Sequence, residues 1–264
     1  MVVKRPYVND DGPGDPGFEV THEAKMLQAL TPHVLVPQLI AVDPTGQYAG
    51  SPAIVQTLLP GRSLLTVKAL SLDDWIHGLA LATQTVSLMK PLSDSAKLPR
   101  FQPWFSFDKL PPSWSTATPD EWFDMQASLF KSLPAAAASD RFIHRDLHPG
   151  NVLFSNANVT GLVDWTNSAW GPFEADVSRC RVEIALLAGF KAADTYLQDC
   201  KNLCADILPT YDYRWDKLVA LELAPWVSDL VECANETGAR ITEDSVAATL
   251  NHYIDNDYDA DKWE

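Results

Sequence analysis

The stretch His144-Arg145-Asp146-Leu147-His148-Pro149-Gly150-Asn151, followed by Asp164-Trp165, constrains this chain more than any other feature. Asn151-Val152-Leu153-Phe154 and Gly161-Leu162-Val163-Asp164 read as two short strands, joined by the polar turn residues Ser155, Asn156, Ala157 and Asn158. A hairpin of that kind brings Asn151 and Asp164 to one rim, with Asp146 just ahead of it. A carboxylate and a carboxamide at this spacing, with a second carboxylate at a strand end, can orient a hydroxyl and hold a metal-bound nucleotide between them.

Every fixed position of the kinase catalytic loop His-Arg-Asp-Leu-x-x-x-Asn is present. Eukaryotic-type protein kinases usually carry Lys where His148 stands, Phe-Gly after the second Asp, and Ala-Pro-Glu further on, and none of the three occurs here. With Gly171-Pro172 and Asp176 added, the pattern instead resembles the aminoglycoside phosphotransferase family, which includes kinases of antibiotics and other small hydroxyl compounds. The resemblance runs over nearly all the chain. It implies an α+β, protein-kinase-like two-lobe fold, with residues 1–60 as a partial N-lobe (lysine strand, glutamate helix, hinge strand) and 61–264 as a larger, mainly helical C-lobe. It further implies Asp146 as the catalytic residue, Asn151 and Asp164 as ligands of Mg2+, and ATP or GTP as phosphoryl donor. Lys4 matches the phosphate-binding lysine and Glu23 its helix partner, while backbone groups around Thr57 and Leu59 would meet the nucleobase edge. Asp176 would brace the catalytic loop. His144 and Arg145 are read as holding that loop, and His148 is given no role.

Length and composition agree with this and exclude other classes. At 264 residues and 46% hydrophobic, the chain can build one large domain or two lobes around a proper core. No apolar run approaches the roughly 18 residues of a membrane helix and the first segment is not a signal peptide, so a cytoplasmic protein is expected. A formal charge of −15 and a pI near 4.7 oppose approach to nucleic acid or an anionic membrane and favour a cationic substrate. Cys180, Cys200, Cys204 and Cys233 lie in apolar helical context without a second Cys/His pair, which reads as reduced, buried thiols rather than a zinc site. Asn158-Val159-Thr160 and Asn235-Glu236-Thr237 match glycosylation sequons that mean little without a secretion signal.

Taken in order, Val2 to Tyr7 reads as a short strand and Phe18 to Leu30 as a helix. Between them, Gly12-Pro13-Gly14-Asp15-Pro16-Gly17 satisfies G-x-G-x-x-G, and Leu39 to Asp43 trails it as a strand ending in an acid, the outline of a dinucleotide-binding fold. Pro13 and Pro16 lack amide donors and Asp10, Asp11 and Asp15 would repel a pyrophosphate, so an NAD-dependent oxidoreductase is set aside. Kinase-like N-lobes carry two strands and a phosphate-covering loop ahead of the lysine strand, whereas here three residues precede Lys4. The expectation is a truncated N-lobe, whether a shortened fragment or a complete protein with weakened nucleotide binding. A catalytically impaired member kept as a binding or scaffolding domain is the alternative. Further along, Pro52 to Leu58 reads as a strand, Ser71 to Met89 and Glu121 to Leu133 as helices, and Pro91 to Pro119 as a packed aromatic excursion. Ala135 to Ala138 leads into the catalytic loop, and Trp165 to Pro172 is a short loop that leaves no room for a long activation segment. Phe173 to Phe190, Ala192 to Cys204, Trp215 to Ala234 and Thr242 to Tyr253 read as helices, and Asp255 to Asp261 as a solvated acidic end.

Overall fold

The computed structural model describes residues 1–6, 16–31, 33–63, 70–91, 98–104, 111–133, 140–236 and 238–255. Tyr7, Gly12 to Asp15, Phe105, Phe107, Ala135 to Ala138, Thr237 and Asn256 to Asp261 therefore lie outside the described residues.

Val2–Lys4 (β1), Leu39–Asp43 (β2) and Ala53–Gln56 (β3) form an antiparallel sheet in the order β1-β3-β2, with Lys4 opposite Ile54. Helix Pro16–Ala29 (α1) packs on β2 and β3 and turns Val20, Glu23, Ala24 and Leu27 inward at helical spacing. The antiparallel pairing of β2 with β3 rules out a parallel dinucleotide fold. Asp43, the acid that completed that pattern, instead accepts the amides of Gln47, Tyr48 and Ala49 at 3.1, 2.7 and 2.8 Å and closes a local turn.

The rest of the chain is mostly helical. Leu72–Leu88 (α2) starts where expected, because the Ser71 hydroxyl accepts the Asp74 amide. Pro119–Ser132 (α3) starts two residues before Glu121, at a reciprocal capping box between Thr118 and Glu121 with Pro119 in the first helical position. Arg62–Ser63 (β4), Val152–Ser155 (β6) and Asn158–Leu162 (β7) form one small sheet, and Asp140–Ile143 (β5) pairs with Ala169–Pro172 (β8) in another. The expected hairpin is thus present with a tighter turn, Asn156-Ala157, in which Asn156 takes φ 54°. Half of the stretch read as a loop after Asp164 is strand β8, since it pairs with β5, and Trp170 also exchanges backbone hydrogen bonds with Pro99 and Phe101.

Glu174–Ala188 (α4) is the central helix, packed against α2, Phe190–Leu203 (α5), Arg214–Leu223 (α6) and Glu243–Asp255 (α8). It is buried on all sides from Ala175 to Ala185. The segment read as one helix from Trp215 to Ala234 is two, α6 and Val227–Glu236 (α7), joined by a 3-10 turn at Ala224–Trp226. Pro225 causes the break: it has no amide to donate and its ring clashes with the carbonyl four residues back. Cys180, Cys200 and Cys204 are buried free thiols, as expected, but Cys233 is exposed on α7. No helix among the described residues is long and apolar enough to cross a membrane.

Candidate active site

The loop His144 to Asn151 leaves β5 and is held from below by buried side chains. Both oxygens of Asp176, at the start of α4, accept amides from this loop: His144 N at 2.8 Å and Arg145 N at 2.7 Å. Burial pushes the Asp176 carboxyl up to about 7 against the pull of these donors and of the Arg145 charge. His144 is fully buried, which lowers its pKa to about 4 and keeps the ring neutral. Its Nε2 lies 3.0 Å from the Val163 carbonyl and its ring packs on Trp165 at 4.4 Å, so it ties the loop to the strand leading into Asp164. Trp165, fully buried, donates its indole N–H to Leu162 O at 2.9 Å.

Arg145 sits at φ 70°, a conformation that costs a non-glycine residue roughly 1–2 kcal/mol. Its side chain supplies the compensation. Nη2 and Nη1 reach the two oxygens of Glu222 on α6 at 2.6 and 3.2 Å, Nη2 also donates to Gln102 O, and the guanidinium stacks on Trp104 and Phe101. Two of the aromatics of the proline-rich excursion therefore border the catalytic loop. Gly150 is required by close approach, because a Cβ there would sit 2.8 Å from the His148 ring.

Asp146, Asn151 and Asp164 converge. Asn151 Nδ2 donates to the Asp146 carbonyl at 3.0 Å, and Val163 N donates to Asn151 O at 3.0 Å, which closes the rim of the hairpin. Asp164 takes the left-handed conformation at φ 65°, a second strained residue in the same constellation. Lys4 Nζ reaches Asp164 Oδ1 at 2.5 Å and Glu23 Oε2 at 2.9 Å, so the first strand and α1 meet the hairpin. Burial opposes the Lys4 charge, yet the two acids outweigh it and raise its pKa; for Asp164, burial opposes ionisation and Lys4 prevails in lowering the pKa. Thr166, absent from the sequence reading, bridges Lys4, Asp164 and Glu23 through its hydroxyl.

Asp146 is partnered by Arg179 of α4, whose Nε donates to Oδ1 at 3.0 Å. Burial disfavours the charge on Asp146, but Arg179, His148 and His144 together hold its carboxyl well below the usual carboxylate range. Glu183, one turn further along α4, lies 2.9 Å from Arg179 Nη1 without hydrogen-bond alignment, and 3.2 Å from His148 Nδ1. Burial would lower the His148 pKa; Glu183 reverses this and raises it, which favours the form that presents Nδ1–H to Glu183. In the neutral form the same nitrogen would accept the Gly150 amide, also at 3.2 Å. Arg179 and Glu183 escaped the sequence reading, because a charged pair one turn apart on a helix reads as a solvated face until the helix is seen to be buried.

Two adjoining cavities share Lys4 and Asp164. One, of about 340 Å³, is lined by Val2, Gln56, Thr57, Leu59, Asn151 and Leu153 among others; the second, of about 260 Å³, by Glu19, Glu23, Thr166 and Asn167 among others. Thr57 and Leu59 thus line the larger cavity. The Thr57 amide is already donated to Gln38 O at 3.0 Å and its hydroxyl accepts Gln38 N at 2.9 Å, so of its backbone groups the carbonyl is the one left for a ligand.

Among the described residues no three His, Cys, Asp or Glu side chains group as a ready-made metal site. The donors that are present suit a hard cation shared with phosphate. Glu23 Oε1 is buried without a partner, Asp164 Oδ2 meets no donor among the described residues, and Asn151 commits its amide nitrogen, leaving its oxygen free of that bond.

No curated protein matches this chain in sequence. Solved structures match its fold. Choline kinase LicA from Streptococcus pneumoniae superposes with a TM-score of 0.60 at 16% identity, covering 96% of this chain and 84% of that one. Aminoglycoside phosphotransferase APH(3'')-Id from Streptomyces rimosus, in complex with ADP and streptomycin, gives 0.60 at 16% over 81% and 84%. Amicoumacin kinase hAmiN, in complex with AMP-PNP, Ca2+ and Ami, gives 0.59 at 13% over 90% and 78%. The architecture is therefore the two-lobe kinase-like fold. Residues 9–199 match the Phosphotransferase enzyme family, and the chain belongs to it.

Proposed function

We propose that this protein transfers the γ-phosphoryl group of ATP or GTP to a hydroxyl of a small molecule. The observation that carries the reading is that Asn151 and Asp164 line one cavity with Lys4, which pairs with Glu23 and Asp164, while the Asn151 amide is bonded to the Asp146 carbonyl. In such a transfer the acceptor oxygen bonds to the γ-phosphorus as the bond from that phosphorus to the β–γ bridging oxygen breaks. The hydroxyl proton passes to Asp146, and the nucleoside diphosphate leaves. Asp146 orients the hydroxyl and receives its proton late, since a carboxylate held so acidic is a weak base. Lys4 would set its charge against the phosphates, with Glu23 and Asp164 fixing its position. Asn151 and Asp164 would hold Mg2+, which supplies charge neutralisation at the phosphates when bound. The Thr57 carbonyl and Leu59 would face the base. The charge of −15 favours a cationic acceptor and disfavours nucleic acid.

The test is a transfer screen with MgATP and MgGTP over aminoglycosides, macrolides, choline-like alcohols and sugars. Asp146→Asn is expected to lose about 10²–10⁴-fold in kcat. A magnesium-dependent nucleotide thermal shift, worth about 2.7 kcal/mol at a hundredfold excess over Kd, should accompany it. A folded sample showing neither transfer nor shift would overturn the enzyme reading in favour of a binding or scaffolding domain.

A further inference from the structure

We infer that Arg179 is a positioning residue of this transfer: it clamps Oδ1 of Asp146 and leaves Oδ2 to take the acceptor hydroxyl. The inference rests on the kinase reading above.

The geometry is specific. Arg179 Nε donates to Oδ1 at 3.0 Å, whereas among the described residues Oδ2 is approached only by Asn167 Nδ2 at 3.5 Å, the limit of a hydrogen bond. One carboxylate oxygen is thus occupied and the other is open. The clamp is itself held. Arg179 lies on the buried turn of α4, where an unpaired guanidinium would be costly, and it meets a second acid, Glu183, through a different nitrogen, Nη1, at 2.9 Å. Rotating the guanidinium away from Asp146 would also break the contact with Glu183. His148 then approaches the other Glu183 oxygen at 3.2 Å, so Asp146, Arg179, Glu183 and His148 form a row of alternating sign tying α4 to the middle of the catalytic loop. A carboxylate held only by its own backbone would be free to rotate about its terminal bond. A misplacement of about 1 Å at a reacting centre can cost on the order of 100-fold in rate.

A lysine at this position keeps the charge but cannot reach two acids from two fixed nitrogens. The experiment is a double-mutant cycle between Arg179→Met and Asp146→Asn, read as phosphate release from MgATP to water and as transfer to any acceptor the screen yields. Arg179→Met is expected to lower kcat about 100-fold with KM for MgATP within about twofold, and Arg179→Lys to recover about tenfold of the loss. In the Asp146→Asn background the same change should cost less than about threefold, because Arg179 acts through that carboxylate. Equal losses in both backgrounds, or full activity in Arg179→Met, would overturn the inference and leave the kinase reading intact. If Arg179→Met does not fold, Arg179→Lys is carried through the same cycle with the same criteria. A wild-type protein with neither turnover nor a magnesium-nucleotide thermal shift would remove the kinase reading and this inference together.

Discussion

Lys4, Glu23 and Asp164, beside the cavities, and Arg145, Glu222 and Asp176, which hold the catalytic loop, are each one base with two acids and handle charge differently. The Lys4 and Asp164 side chains are 27% and 38% exposed, whereas Arg145 and Glu222 are 4% and 1% exposed. Around Arg145 the charges are satisfied within the protein, by a two-point ion pair, aromatic stacking and backbone amides. Around Lys4 the protein leaves an oxygen over: Glu23 Oε1 is buried without a partner among the described residues. The contrast separates a scaffold from a site. The Arg145–Glu222 charges that hold the loop are buried and matched, while Lys4 and Asp164, suited to meet a ligand, are half-open.

Substitutions can test that contrast, beginning with the largest expected effect. Glu222→Ala strands the buried Arg145 guanidinium and should cost about 3–5 kcal/mol of stability in denaturant melts, because an uncompensated charge is left inside. A loss below about 1 kcal/mol would mean that this pair is not the scaffold described. A pH series on Asp176→Asn comes next. The folded-state pKa of about 7 lies above the unfolded value near 3.8, so Asp176 contributes stability that is fully present below about pH 4 and lost as pH rises through 7. The stability difference between wild type and Asp176→Asn should shrink by about 1.4 kcal/mol per pH unit between those limits. His144, lowered from 6.5 to about 4, has the opposite slope over its own window, so the asparagine variant should expose a rise in stability between pH 4 and 6.5. A pH-independent difference would show that Asp176 is ionised throughout. Lys4→Met should cost the fold less than Glu222→Ala, since Lys4 and Asp164 are part-exposed, although buried Glu23 is left with the Thr166 hydroxyl. It should nevertheless abolish the magnesium-nucleotide thermal shift; retention of that shift would remove Lys4 from the site.

The two regions were also unequally legible in the sequence. Residues His144 to Asn151 and Asp164-Trp165 carried their spacing on the surface of the text, and the hairpin between them followed from turn residues alone. Helix starts at Ser71 and Thr118 depend on contacts three residues apart, and the first was read correctly while the second was missed by two residues. Arg179, Glu183, Glu222 and Thr166 were not found. The three charged residues act on a loop far away in the chain, and a charged residue on a helix reads by default as a solvated one; Thr166, beside Asp164, carries no charge and reads as an ordinary loop residue. The sequence could not show which backbone group of Thr57 is available to a ligand: its amide is used by Gln38, a pairing set by strand register.

By itself, then, the sequence determined the local chemistry: which side chains carry oxygen, where turns and caps fall, and that Asn151 and Asp164 share a rim. These depend on neighbours within a few residues, where backbone geometry leaves little choice. Only the tertiary structure decided which charges are buried, which Asp146 oxygen is held and which is open, and that Lys4 reaches Asp164. Those outcomes depend on how α1, α4 and α6 pack around one loop, and burial turns the same Arg and Glu side chains from solvated groups into obligatory partners.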